Sequence, residues 1–210
     1  MEKQIAELLL KIGIIDLKPN VPFTWTSGIK SPIYCDCRLI LSYPKERNVI
    51  VNKFIYQIKK LYPTVEAIMG TATAGIPWSA IIAQKMNLAM GYVRAEKKQH
   101  GKENTIEGKI TPGIKVVVVE DLISTGGSVV KVVEILRKAG CEVLGVVSIF
   151  AYLLPKANLL FKDINCDLTT LSNYDYLLKA ALKLKYIDKK DIKKLTAFKN
   201  DPTNDAWSKI

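Results

Sequence analysis

An α/β fold, with a central and mostly parallel sheet flanked by helices, is what this 210-residue sequence predicts. Three observations carry that expectation. Strand-like and helix-like segments alternate through the middle of the chain. The strand segments are continuous apolar runs, as burial on both faces of a parallel sheet requires. One of them, Val116 to Val119, passes straight into Glu120 and Asp121 and then a turn containing Ser124, Thr125, Gly126 and Gly127. Ligands of such sheets bind beyond the carboxyl ends of the strands, where these residues fall.

The elements follow in order. "MEKQIAELLLKIG" has the spacing of an amphipathic helix. "KPNVPFTWTSGIKSPIYCDCRLIL" is rich in Pro, Gly and Ser and reads as irregular chain with short extended pieces. "PKERNVIVNKFIYQIKKLY" is helical, with Val49, Phe54, Ile58 and Leu61 offered as its buried face. "VEAIMG" is a short strand, "TAGIPWSAIIAQKMN" a glycine turn leading into a helix, and "LAMGYVR" a further strand. A charged segment then leads to the valine strand. A helix from about Ser128 to Ala139 comes next, with Gly140 as its stop. "EVLGVVSIF" closes the series as a buried strand.

Composition narrows the function classes. At 49% hydrophobic and 24% charged, the chain suits one large domain. The longest near-apolar run, Val143 to Pro155, falls short of the roughly 20 residues of a membrane-spanning helix, so a soluble, untargeted, cytoplasmic protein is expected. The four cysteines, Cys35, Cys37, Cys141 and Cys166, lack the spacing of a zinc site and are expected as reduced thiols. The formal net charge of +11 admits nucleic acid, an acidic membrane surface or a polyanionic small molecule. Much of it lies in "LLKAALKLKYIDKKDIKKLTAFK", where lysines at helical intervals describe a solvated face around buried leucines, not a nucleic-acid surface.

The turn after the valine strand carries the chemistry. Gly126 and Gly127 let backbone N–H groups converge on an anion, Ser124, Thr125 and Ser128 add hydroxyl donors, and a helix presents its positive end. Two carboxylates beside such a phosphate cradle would repel the anion itself. Their partner is therefore a group attached to it, sugar hydroxyls or a metal ion, and a ribose 5-phosphate meets both halves. The sequence has neither a G-x-x-x-x-G-K-[ST] nor a G-x-G-x-x-G motif. The segment from Arg94 to Lys109 is long, polar and basic, with Ile106 as its main apolar anchor, and reads as a lid. His100, the single histidine, lies within it and has no core to fill, which favours contact with phosphate.

"VVVVEDLISTGGS" resembles the phosphoribosyl pyrophosphate signature of the type I phosphoribosyltransferases. "FTWTSGIKSPIYCD", followed by "RLILSYP", and "RAEKKQHGKENTIEG" are similar to the orotate phosphoribosyltransferases, in the same order along the chain. The resemblance implies a type I phosphoribosyltransferase fold with a small N-terminal hood (mainly 1–45), a core (about 46–160) and a C-terminal helical region (about 161–210) in one domain. It implies transfer of ribose 5-phosphate from phosphoribosyl pyrophosphate to orotate, with Mg²⁺ carried by the pyrophosphate and no direct protein ligand. Lys98, His100 and Asp121 would be catalytic. Arg94, Lys97, Lys98 and His100 would grip the pyrophosphate. Glu120, Asp121, Leu122, Ile123, Ser124, Thr125, Gly126, Gly127 and Ser128 would bind the ribose phosphate, and Ser124, Tyr34, Cys35 and Lys30 would face orotate. A homodimer is implied, in which loop 94–109 completes the neighbouring site. Where some members set an arginine on the orotate carboxylate, this chain has Tyr152.

Two other functions share parts of these motifs. A purine phosphoribosyltransferase would carry the valine-strand signature without "TSGIKSPIYCD". A regulator sensing phosphoribosyl pyrophosphate while binding nucleic acid would not need the basic loop that stabilises a leaving group.

Overall fold

The computed structural model describes residues 1–25, 28–94 and 105–210. In chain order the described elements are α1 (Glu2–Lys11), β1 (Ile15–Leu17), β2 (Phe23–Thr24), β3 (Lys30–Ser31), β4 (Ile33–Cys35) and a 3₁₀ turn at Cys37–Ser42. There follow α2 (Pro44–Leu61), β5 (Ala67–Thr71), α3 (Gly75–Met86), β6 (Ala89–Val93), β7 (Ile106–Glu107), β8 (Lys115–Ile123) and α4 (Gly127–Lys138). The chain ends with β9 (Glu142–Ala151), α5 (Pro155–Asp163), β10 (Leu168–Asn173), α6 (Tyr174–Lys183), α7 (Asp191–Asn200) and a second 3₁₀ turn at Asp205–Lys209.

Six strands form one sheet in the order β10-β9-β8-β5-β6-β7, parallel except for the β6–β7 pair. The valine run explains itself here. β8 is flanked by β5 and β9, and successive side chains of a strand point to opposite faces. Val117 and Val119 enter one core, together with α1, α2, α3 and α6, while Val116 and Val118 enter a second core under α4 and α5. All four valines are fully buried. At roughly 1.5–3 kcal/mol for each buried aliphatic side chain, they place the residues that follow them firmly at the sheet's edge.

Two features depart from the sequence reading. On α2 the buried residues are Ile50, Val51, Phe54 and Ile58, whereas Val49 and Leu61 are exposed. Val49 lies about 140° around the helix from Phe54, and Leu61 is the last helical residue, beyond which Tyr62 takes the buried place. The sheet also has a strand past "EVLGVVSIF". β10 pairs with β9 on one side only, and its Thr169, Thr170 and Ser172 lack the apolar continuity of a central strand. The lysine-rich region forms α6 and α7, whose Leu177, Leu178, Leu195 and Phe198 are buried. Among the described residues no helix is long and apolar enough to cross a membrane.

Candidate functional site

β8 continues through Ile123, so Glu120 and Asp121 sit within its last residues and not after them. Both are buried, Glu120 to 7% exposure and Asp121 to 8%. The Asp121 N–H donates to Glu120 Oε1 at 3.0 Å. Burial, reinforced by the neighbouring Asp121 charge, pushes the Glu120 carboxyl well above the usual range. Burial also raises Asp121, against hydrogen bonds from Glu120 and the Leu122 N–H and the Arg38 charge, which favour its ionised form. Two adjoining acids that resist joint ionisation can both donate to and accept from vicinal hydroxyls.

The same burial has a stability consequence. A carboxyl raised in the folded state favours folding below its unfolded value, about 4.3, and that contribution is lost as pH rises through the folded pKa. Glu120→Gln cannot ionise. It should match the parent in Tm near pH 4 and exceed it at pH 8, with the gap opening as pH rises above about 4.3. Thermal melts across this range would read it, and a pH-independent difference would refute the buried-charge explanation.

Immediately beyond lies the turn 124–128. Gly126 has φ +81° and is the N-cap of α4, a conformation that favours glycine. Among the described residues no side chain caps α4. None of their atoms lies within 4 Å of where a Cβ on Gly127 would stand. An uncapped helix N-terminus beside an open glycine fits a phosphate group. On the adjoining strand, Thr71 is buried at the end of β5, with its hydroxyl 3.4 Å from the Val119 carbonyl and favouring ionised Glu120. Gly75 starts α3 hard against the Val119 carbonyl, where a Cβ would collide.

The N-terminal segment comes over this edge. Arg38 forms a two-pronged pair with Asp36, both bonds 2.7 Å, and holds the Asp36 carboxyl below its usual range. The 3₁₀ turn at Cys37–Ser42 packs against β8, which brings Arg38 and Cys37 within electrostatic reach of Asp121. Neither Arg38 nor Asp36 stood out in the sequence, since an Asp-x-Arg spacing carries no motif. Tyr34 and Cys35 leave β4 on opposite faces: Tyr34 is exposed, 5.7 Å from the Phe23 ring, and Cys35 is buried with its Sγ 3.5 Å from Cys37 Sγ. All four cysteines are free thiols. Lys30 is exposed on β3, 3.8 Å from Asp205. Tyr152 is buried, with its N–H on the Ile123 carbonyl at 2.9 Å and its ring 5.1 Å from Trp25.

Arg94 follows β6, its guanidinium 3.2 Å from the Tyr92 hydroxyl and 3.5 Å from Glu107. Its N–H bonds Thr105, and Val93 pairs with Ile106, which packs against the second core. Lys97, Lys98 and His100 lie outside the described residues. Among those described, no three His, Cys, Asp or Glu side chains gather as a metal site.

Comparisons with known proteins agree with this geometry. The family model of the phosphoribosyl transferase domain matches residues 45–175. An orotate phosphoribosyltransferase of Listeria innocua is 51% identical over 209 residues, covering 100% of this chain and 99% of that one. One from Bacillus cereus is 53% identical over 207 residues, covering 99% of each. Among solved structures, an orotate phosphoribosyltransferase of Aeropyrum pernix superposes with a TM-score of 0.75 at 29% identity, over 88% of this chain and 99% of that one.

Proposed function

The chain belongs to the phosphoribosyl transferase domain family and, within it, to the orotate phosphoribosyltransferases, and from that premise we propose that its strand-end site joins orotate to the ribose 5-phosphate of phosphoribosyl pyrophosphate. The products are orotidine 5′-monophosphate and pyrophosphate. The bond from ribose C1 to the pyrophosphate oxygen breaks with its electron pair leaving on pyrophosphate, the N1 proton of orotate passes to pyrophosphate or solvent, and the N1–C1 bond forms. The observation that carries this reading is a buried acid pair, Glu120 and Asp121, set directly before an uncapped, glycine-led helix N-terminus.

In this mechanism the turn Ser124 to Ser128 holds the 5-phosphate, and Glu120 and Asp121 hold the ribose hydroxyls. With both ends fixed, C1 faces the base, for which the side chains of Tyr34, Lys30 and Ser124 and the backbone at Cys35 form the surroundings. Breaking the glycosidic bond builds positive charge on ribose and negative charge on the departing pyrophosphate. The acid pair favours the first, and Arg94 with Lys97, Lys98 and His100 favours the second, most strongly in the transition state. Carried by the pyrophosphate with no direct protein ligand, Mg²⁺ would neutralise charge on the leaving group. The enzyme acts in the cytoplasm as a homodimer whose loop 94–109 completes the neighbouring site.

A panel of bases tests the assignment. With phosphoribosyl pyrophosphate and Mg²⁺ the protein should consume orotate and leave adenine, hypoxanthine and uracil essentially untouched. Turnover of a purine with orotate inert would sink it.

A further inference from the structure

The family model reaches residue 175, and the chain after it returns to the N-terminal segment, with Lys194 at Asn20 and Asp205 at Lys30. Trp207 is buried to 2% exposure, and its ring meets Phe198 at 5.4 Å. Phe198 in turn meets Trp25 edge-on at 5.9 Å, and Trp25 meets Tyr152 at 5.1 Å. This aromatic row runs from the second 3₁₀ turn to the residue whose N–H holds Ile123, one position before the phosphate turn. Polar ties run alongside it. Lys194 donates to the Asn20 side chain at 3.1 Å, Asp205 faces Lys30 at 3.8 Å, and the Tyr174 hydroxyl anchors α7 through the Leu195 carbonyl at 3.1 Å.

β2 and β3 are held by short local contacts, Phe23 against Tyr34 and Lys18 and the buried Ser31 hydroxyl on the Ile33 carbonyl, and by the aromatic row through Trp25. They form a two-stranded pair outside the main sheet, tied by the Trp25 N–H to Ile29 and the Trp25 indole N–H to Ile33. An isolated pair of such short strands is not stable alone in water. The acid pair and phosphate turn, by contrast, hang on the central strand β8 and on α4, which the sheet supports from both sides.

We propose that residues 191–210 are a positioning clamp for the base side of the site, with Trp207 as its anchor and Asp205 as its outer tie, holding Trp25 and the β2–β3 pair against Tyr152. The inference deepens the orotate reading above and rests on it for the identity of the base. It separates the two substrates physically: the clamp sets the place of orotate, and the sheet sets that of phosphoribosyl pyrophosphate.

The test uses the full-length protein with Trp207→Ala, Trp207→Phe and the exposed charge reversal Asp205→Lys. Trp207→Ala should raise the orotate KM by about tenfold while the phosphoribosyl pyrophosphate KM stays within about twofold, and Trp207→Phe should restore most of it. Asp205→Lys should raise the orotate KM by about threefold with an unchanged melting temperature, which keeps the proposal decidable if Trp207→Ala does not fold. Hydrogen exchange without substrate should show faster exchange at Trp25 and Ser31 in the folded variants, with β8 unchanged. Equal rises in both KM values, a fall in kcat alone, or unaltered exchange in β2–β3 would overturn the clamp. An unmutated protein inert toward orotate would overturn the base assignment, while the exchange comparison would still decide the clamp.

Discussion

Lys98→Ala is expected to lower the turnover number by roughly 10² to 10³ with a much smaller change in orotate affinity, the usual consequence of deleting one group that meets charge developed only in the transition state. The motive is the basic segment between Arg94 and Lys109, whose described ends are tied to the sheet through β6 and β7 at the same edge as Glu120 and Asp121. Steady-state kinetics at saturating phosphoribosyl pyrophosphate would separate turnover from orotate KM. A turnover number equal to that of the parent would mean that Lys98 is solvated throughout the cycle.

Mixing two inactive variants should restore about a quarter of the sites, provided the basic loop serves the neighbouring subunit. Lys98→Ala removes only the loop's contribution and Asp121→Ala only the ribose pocket's. When equal amounts exchange subunits at random, about half of the dimers are mixed. Each mixed dimer then pairs one sound pocket with the partner's sound loop, and pairs the damaged pocket with the damaged loop. If each loop serves its own subunit, no mixed dimer holds a whole site, and the activity of the mixture stays at that of the two variants apart. The assay therefore reads both the dimer and the direction of the loop.

The contiguous part of the site was legible in the sequence because its logic is local. Four valines followed by two acids, a glycine pair and hydroxyls specify a buried strand, a polar end and a helix start without reference to the rest of the chain. The neighbours of that stretch were not legible. Thr71 and Arg38 approach the acid pair from far along the chain, and only the alignment of β5 beside β8 and the passage of the 3₁₀ turn over the strand end bring them there. Edge pieces suffered in the same way. β10 draws its pairing from one neighbour and carries threonines and serine, so its period is too weak to separate it from a loop.

What the sequence by itself determined, then, is the alternation that makes a parallel sheet, the location of its polar end on β8, and the reaction class that an acid pair beside a phosphate turn supports. Hydrophobic periodicity and turn chemistry act over a few residues and survive in the linear order. Tertiary structure alone decided which face of α2 is buried, that Glu120 and Asp121 are sunk deeply enough for burial to oppose their charge, and that the C-terminal segment reaches back to Trp25. These depend on long-range packing, where the free energy comes from surfaces that meet only once the chain has closed, and no local pattern records which distant side chain will complete them.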